Sequence, residues 1–520
     1  MPKQCMLILD TDRIQDYIFA TTKLKEIRNA SVLLDDLNLE ETYNRIKKFG
    51  GQIVSLGGGS ARVVFQANEK DQAAKLLDEI ERLYATGTGN GATITGIVLE
   101  GEIGESDQNL MARAEIALRL RKQNRSVCAQ PLTNPYFKIC DSSGSAPAVK
   151  RASRHSSFDD RLISLATDRK LGYDSSSTYF SQFRQYVEAH YPQGKSDLAA
   201  PESFADIGQA AKPSGYIGLI YADGNRMGWR LQEQFERFDR IHDFSEKIIT
   251  ATSNSLFEAL HKIRRTKKTS FPFEILLIGG DDILLVVPAQ HAIDVALDFA
   301  ERFKGATAYK TKTDVTTRVS LGVGIVIAHA THPIRHLISL AEELAGSAKV
   351  ESQKAFSNSD QKEERNYFNF LVNKGASIKN HDDVFDNELQ YRDSARAAEA
   401  TIKLHRRPYD DDGLKKVRDT IIALQRANAP RTKLMQLYRA LYSGWGQGTL
   451  DSLFIASRLP REAKEILLNE FTKCGQAFPW YKTADDEYET PLLDWIELYD
   501  FIAAPADDKK PEGETQNANV

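Results

Sequence analysis

The chain has 520 residues, 41% hydrophobic and 27% charged, a balance that fits a soluble globular protein of roughly three to four domains. A formal charge of -4 excludes a global basic field for tight non-specific nucleic-acid binding and leaves only local basic surfaces open. The start MPKQCMLILDTD reaches an acid too soon for a signal peptide, no apolar run approaches the ~20 residues that span a bilayer, and the four cysteines (Cys5, Cys128, Cys140, Cys474) are not close-paired, so a cytoplasmic protein with neither membrane anchor nor disulfide framework is expected.

Cys5 to Leu9 predicts a short strand, and about Arg13 to Lys48 a long helical stretch. Gln52 to Leu56 and Ala61 to Phe65 are strand-like, with Gly57-Gly58-Gly59 as the turn between them. Glu69 to Tyr84 is amphipathic, Ala92 to Leu99 a strand, and Asn109 to Lys122 a helix. Residues 126–212 are rich in Ser, Gly and Pro. The first order then returns: strand Tyr216 to Ala222, helix Phe235 to Arg264, strands Phe273 to Ile278 and Ile283 to Val287, helix Ala292 to Phe303, strand Arg318 to Ala328, helix Pro333 to Val350. Residues 379–505 read as mainly helical, with Leu434, Leu437, Tyr438 and Leu441 on one face, and 506–520 as a polar disordered tail. Helices on one face of a largely antiparallel sheet give an α+β fold.

The two halves are an internal repeat. Asp10-Thr11-Asp12-Arg13 aligns with Asp223-Gly224-Asn225-Arg226, Gly57-Gly58-Gly59-Ser60 with Gly279-Gly280-Asp281-Asp282, and Ala114-Glu115 to Lys122 with Ala341-Glu342 to Lys349. Three matches in one order mark a duplication.

Only the second copy carries three carboxylates that can converge. Asp223 ends an apolar strand, and Asp281 and Asp282 follow two glycines in a hairpin between apolar strands. Hard oxygen ligands of this kind hold Mg2+ or Mn2+ against phosphates, and nucleotidyl transfer needs mainly positioning and charge neutralisation. Asp223, Asp281 and Asp282 are therefore the expected catalytic metal ligands. Gly224, Asn225, Arg226, Gly279, Gly280 and Lys349 are candidate nucleotide contacts in this copy, and Asp12, Gly58 and Gly59 in the first. Each has a structural alternative: an Asx turn for Asn225, a helix-dipole contact for Lys349, an N-cap for Asp12. The first copy has Gly59 and Ser60 where the hairpin acids belong. It is expected to bind no metal, so alanine at both positions is expected to cost far less activity than alanine at the two hairpin acids.

With these motifs on the page, the sequence resembles the polymerase-cyclase subunit of type III CRISPR effector complexes over roughly 1–505. The resemblance rests on IQDYIFATTKLKEIRNASVLLDDLN, YIGLIYADGNRMG with IGGDDILLVVPA, HATHPIRHLISLAEELAGSAK, and RPYDDDGLKKVRDTIIALQRANAPRTKLMQLYRALYSG. It implies two ferredoxin-like palm domains that face each other and bind ATP. The implied domains are a degenerate palm at 1–125, a connector at 126–212, a catalytic palm at 213–378 and a helical domain at 379–505. It also implies cyclic oligoadenylate synthesis in antiviral defence, Lys349 as a triphosphate contact, RNA and other effector subunits as partners, and a downstream effector that reads the product. Two departures stand out. The first palm begins at the first residues, leaving no room for the amino-terminal nuclease domain that relatives often carry, so DNA cleavage is not expected. The connector zinc ribbon is vestigial: ICDSSGSAPAVK has Ser143 at its second ligand position, and Cys128, Cys140, His155 and His190 lack regular spacing, so no zinc is expected.

A diguanylate-cyclase-like dinucleotide synthase would share the Gly-Gly hairpin. It would carry Asp-Glu-Phe or Glu-Glu-Phe rather than Asp281-Asp282-Ile283, and an Arg-x-x-Asp motif before the hairpin that is absent here. A non-catalytic RNA- or protein-binding scaffold would have no use for three converging acids. The basic stretch Arg264-Arg265-Thr266-Lys267-Lys268 is expected to be a solvated loop.

Overall fold

The computed structural model describes residues 4–124, 136–154, 159–173, 179–191, 198–233, 235, 237–263, 270–311, 313, 315–358, 364–375, 379–393, 400–484 and 487–503. Cys128, His155, the basic stretch Arg264 to Lys268 and the tail from 506 lie outside them. The chain divides into two compact units, Met1–His381 with Pro408–Asp411, and Asp382–Arg407 with Asp412–Val520.

The first repeat runs β1 (Gln4–Asp12), α1 (Ile14–Ile18), α2 (Leu24–Asp35), a π-helical turn (Asp36–Glu41), α3 (Thr42–Lys48), β2 (Gln52–Gly57), β3 (Ser60–Gln66), α4 (Lys70–Gly87), β4 (Thr93–Glu100) and α5 (Asp107–Asn124). The connector adds β5 (Lys150–Arg151), β6 (Leu162–Ile163), α6 (Leu165–Gly172), α7 (Tyr179–His190) and α8 (Phe204–Gln209). The second repeat runs β7 (Tyr216–Gly224), α9 (Met227–Glu233), α10 (Phe238–Ile263), β8 (Glu274–Gly279), β9 (Asp282–Pro288), α11 (Ala292–Ala306), β10 (Tyr309–Lys310), β11 (Thr316–Thr317), β12 (Leu321–His329), α12 (Ile334–Asn358) and β13 (Tyr367–Asn373). Then come α13 (His381–Phe385), β14 (Gln390–Asp393), β15 (Ala400–Lys403), β16 (Tyr409–Asp410), α14 (Asp411–Arg426), α15 (Arg431–Ala440), α16 (Trp445–Ser457), α17 (Arg461–Thr472), β17 (Tyr481–Ala484), β18 (Glu487–Glu489) and α18 (Leu492–Leu498).

The two repeats build the same sheet. The first has strand order β2-β3-β1-β4, and the second has β8-β9-β7-β12, extended past β12 by β13 and β16. The central strands β1 and β7 are apolar on both faces because each is flanked by strands and covered by helices; Cys5 to Leu9 and Leu219 to Ile220 are buried. The hairpins share one register: Gly57 pairs with Ser60, and Gly279 with Asp282. Arg13 and Arg226 both have positive φ, 55° and 60°, just after the strand-end acids. That rare conformation for a non-glycine residue, at matching positions, supports the alignment independently of side-chain identity.

The long first helix expected at 13–48 is broken. Thr21 Oγ1 accepts a hydrogen bond from the Lys23 N–H at 3.2 Å, and Lys23 is extended ahead of α2. A hydroxyl that captures a nearby amide competes with helix continuation. The connector, rich in Ser, Gly and Pro, contributes α6, α7 and α8. Phe180 of α7 stacks on Phe271 and Phe273, which lead into β8, and Phe183 meets the same two rings edge-to-face.

The repeats exchange helices. α2 packs on β8, and α10 packs on β2. Gln15 of α1 bonds to Glu342 of α12, and Gln232 of α9 bonds to Glu115 of α5. Glu115 and Glu342 are equivalent in the repeat, so these reciprocal contacts trace a pseudo-two-fold axis. The hairpin tips meet on it: a Cβ on Gly279 would lie 3.7 Å from Gly58 Cα.

The second unit holds the sheet β14-β15-β18-β17 beside its helices. Leu434, Leu437 and Leu441 are buried as their spacing predicts. The sheet itself was not expected. Its strands are three or four residues long, too short for a period to register.

Candidate active site

Asp223 lies near the end of β7, and β9 enters beside it from the hairpin that carries Asp281 and Asp282. Backbone geometry aims these side chains. Gly280 has φ 52° while Asp281 is not in the positive region, the one-glycine pattern of a tight hairpin. A Cβ on Gly224 would meet Asp281 Oδ2 at 2.5 Å, so the Asp281 carboxylate lies over the Gly224 backbone. A Cβ on Gly279 would meet Asp282 Oδ1 at 2.5 Å. The two acids thus use the space that glycines leave.

Lys349 of α12 forms an ion pair with Asp223 Oδ2, and the Tyr221 hydroxyl lies 3.5 Å from the same oxygen. The lysine reaches across β12 because Gly322, the register partner of Asp223, has no side chain. A Cβ there would meet Lys349 Cγ at 2.4 Å. Gly324 lets α12 press closer still, since its Cβ would lie 1.9 Å from the Ala341 carbonyl oxygen.

Both hairpin acids are half-buried. Burial pushes the Asp281 carboxyl up, and the charge of Asp223 adds to it against the pull of Lys349. Asp282 is driven up more strongly, by burial and then by Asp281 and Asp223. Glu342 is pushed up to about 7, again chiefly by burial. Three carboxylates therefore face one lysine. Among the described residues no three His, Cys, Asp or Glu side chains are arranged to hold a metal ion, since Asp223 is turned onto Lys349. The donor set is of the kind that suits a divalent cation: hard carboxylate oxygens with an excess of negative charge.

The first copy is arranged differently. Lys122, equivalent to Lys349, bonds Asp10 at 2.6 Å and Asp12 at 2.9 Å. Thr95, the register partner of Asp10 and counterpart of Gly322, donates to Asp12 at 2.6 Å, and Thr93 donates at 3.1 Å. Burial would raise Asp12, but these hydrogen bonds and the lysine outweigh it and hold its carboxyl below the usual range. Its carboxylates are already neutralised from within. Gly59 has φ 76°, and a Cβ there would meet Ile14 Cδ1 at 2.6 Å. An acid in the place of Asp281 would therefore strain this hairpin. So would alanine.

Of the other candidate nucleotide contacts, Gly58 is at the hairpin contact with Gly279 and Gly280. Asn225 is buried and donates to Ser320 at 2.9 Å and Ser352 at 3.1 Å. Arg226 pairs with Glu364 and lies 3.5 Å from the Phe356 ring centre. The structure does not bring these two side chains to the carboxylates. Two residues that sequence reasoning missed support the hairpin. Thr252 of α10 donates to the Gly280 carbonyl at 2.7 Å, and the Tyr179 hydroxyl of α7 accepts from the Ile278 N–H at 3.3 Å. Neither position carries a local sequence signal. Cys140, the one connector thiol described, is buried against Thr167. Among the described residues no helix is long and apolar enough to cross a membrane.

Residues 216–357 match the family Cas10/Cmr2, second palm domain. No curated protein matches the sequence. Among solved structures, the chain is similar to the Csm1-Csm4 cassette in complex with pppApApA, at TM-score 0.59 and 12% identity over 97% of this chain and 70% of that one. The same cassette with cA4 gives TM-score 0.57 at 12% identity, with the same 97% and 70% covered. Csm1 of T. onnurineus gives TM-score 0.55 at 13% identity over 96% of this chain and 70% of that one. Residues 216–357 are thus similar to the second palm domain of the Cas10/Cmr2 family, and the fold as a whole is that of Csm1.

Proposed function

We propose that the chain is a metal-dependent nucleotidyltransferase that joins ATP into cyclic oligoadenylate, a second messenger of antiviral defence read by a downstream effector. The observation that carries this reading is the asymmetry of the two palms: three mutually repelling carboxylates share one lysine, Lys349, while Asp10 and Asp12 of the first palm are held by Lys122, Thr93 and Thr95. Asp223, Asp281 and Asp282 would hold Mg2+ or Mn2+. When bound, such a cation neutralises triphosphate charge and favours attack of a ribose hydroxyl on an α-phosphate with loss of pyrophosphate. Lys349 supplies a second positive charge to the phosphates once Asp223 is engaged elsewhere. Gly224 and Gly279 serve this site by leaving the space that the Asp281 and Asp282 carboxylates occupy.

The first palm, with no equivalent acids at its hairpin, would bind a nucleotide without metal chemistry, and the meeting of hairpin tips supports a pair of nucleotides on opposite sides of one axis. The relatives crystallised with pppApApA and cA4 carry ligands of the kind this reaction would make. Their pairing with Csm4 supports a partner subunit of that kind here, with RNA as the expected trigger and the cytoplasm as the expected compartment. The test is the mass of the product formed from a mixture of ATP, GTP, CTP and UTP with Mg2+ or Mn2+. Cyclic adenylates support the reading, cyclic di-guanylate would replace it with the dinucleotide-synthase alternative, and absence of any metal-dependent product, with the partner subunit and RNA supplied, would leave a scaffold.

A further inference from the structure

The connector holds a four-point cluster that sequence alone showed only in part. Cys140 and Ser143 are three apart, Ser164 and Thr167 are three apart, and residues 144–163 separate the pairs. That is the spacing of two metal-binding knuckles, C-x2-C followed by C-x2-C after about 15–20 residues, with three of the four cysteines replaced by hydroxyls.

The two turns are built alike. The Ser143 N–H donates to Cys140 Sγ at 3.5 Å, and the Thr167 N–H donates to Ser164 Oγ at 3.2 Å. The Gly144 N–H reaches the Cys140 carbonyl at 2.9 Å, and the Asp168 N–H reaches the Ser164 carbonyl at 2.9 Å. The turns face each other: Cys140 Sγ lies 3.5 Å from Thr167 Oγ1, which accepts from Ser164 Oγ at 3.2 Å. A tetrahedral zinc with bonds of roughly 2.0–2.3 Å would set its ligand atoms roughly 3.3–3.8 Å apart, so these edges have nearly the dimensions of an occupied site.

Cys140, Ser164 and Thr167 are almost wholly buried, and Ser143 Oγ is shielded from solvent beside the Cys140 thiol. Ser164 is also the N-cap of α6. Capping alone would not require the Thr167 hydroxyl to be buried against a thiol from a turn far away in sequence. Beneath the cluster, Cys140, Ala152 and Ile163 form a small apolar core between the β5–β6 strands. The donor set does not fit zinc, because serine and threonine hydroxyls are not among its ligands and one thiol cannot hold it.

We infer that positions 140, 143, 164 and 167 form a metal-free replica of a four-ligand knuckle site, in which hydrogen bonds between thiol, hydroxyls and turn amides replace the ion and let the connector fold without it. The test uses the full-length chain. The purified protein should carry no stoichiometric zinc, and a chelator should leave its melting temperature unchanged. The variant Ser143→Cys/Ser164→Cys/Thr167→Cys should take up one Co2+ per chain with the intense visible and charge-transfer bands of tetrahedral thiolate ligation, and should then melt lower when the chelator is added. Should the triple variant fail to fold, Ser164→Ala/Thr167→Val decides: loss of the hydroxyl network should lower the melting temperature by several degrees. One zinc per chain in the unmodified protein, a folded triple variant that ignores Co2+, or a double variant that melts like the parent would each overturn the inference.

Discussion

The two palms share strand order, hairpin register, a left-handed arginine after the strand-end acid, and a lysine at the same turn of the last helix. They differ in what surrounds that lysine. In the first, threonines face Asp12 and the lysine bridges two acids, so every charge has a partner. In the second, Gly322 stands where Thr95 would be, and two further acids replace Gly59 and Ser60. Duplication preserved the frame. A handful of side chains turned one copy into a self-satisfied structure and left the other with unbalanced charge, a cost in stability that makes sense at a site where a charged ligand completes it.

The largest test of that contrast removes the hairpin acids. Asp281→Ala/Asp282→Ala should keep the fold, because mutual repulsion is relieved, and should lower pyrophosphate release by about a thousandfold or more, equivalent to roughly 4 kcal/mol. The matching control in the first palm is Ser60→Ala alone, since Gly59→Ala would strain the backbone. Ser60→Ala should retain activity within a few-fold. Equal losses in both palms would mean that catalysis is shared.

The lysines come next. Lys349→Met should reduce turnover by roughly a hundredfold, as expected when one charged donor to a developing anion is lost. Lys122→Met should change turnover far less but lower stability by about 1 kcal/mol, because Asp10 and Asp12 would then face each other without a cation. Steady-state rates and thermal melting on both variants separate the two roles; matching activity losses would break the asymmetry. A smaller effect is expected from Gly322→Thr, which installs the first palm's residue in the second. Its Cβ would collide with the Lys349 stem and crowd the Ala345 carbonyl at 3.0 Å, so α12 must shift. Activity should fall roughly tenfold through misplacement of Lys349. Full activity in this variant would show that Lys349 need not cross β12 at that point.

Much of this contrast is legible from sequence. The acids, the glycine hairpins and the lysines align because each is a short motif at a fixed offset from an apolar strand. The determinants that tune them are less visible. Thr95 and Gly322 matter through cross-strand register, which no local pattern reports. Thr252 and Tyr179 support the hairpin from elements far away in sequence. Ser164 and Thr167 complete the connector knuckle, but hydroxyls are too common to stand out as a motif without the turn geometry. The helices of the connector were hidden by a composition rich in Ser, Gly and Pro.

The smallest effect concerns stability rather than rate, at a position where the palms also part. Glu274 at the start of β8 is fully buried, whereas its counterpart Gln52 at the start of β2 is exposed. Arg28 of α2 donates to Glu274 from Nε at 2.9 Å, joining the two palms. Burial nevertheless wins: it pushes the carboxyl up to about 7 from an ordinary 4.5, against the pull of Arg28. Between those values the folded protein binds more protons than the unfolded chain, so this group's contribution to stability is greatest in acid and declines as pH rises through the window. Glutamine keeps the shape and cannot titrate. Glu274→Gln should therefore melt close to the parent at about pH 5 and above it at about pH 8, by on the order of 1–3 kcal/mol. Gln52→Glu, placed in solvent, should leave the pH profile as it was. Melting curves across that range settle which force dominates. A parent protein that gains on Glu274→Gln as pH rises would mean that the charged pair with Arg28 outweighs desolvation, and that the exchange of helices between the palms is held by an ion pair rather than by apolar packing around a neutral acid.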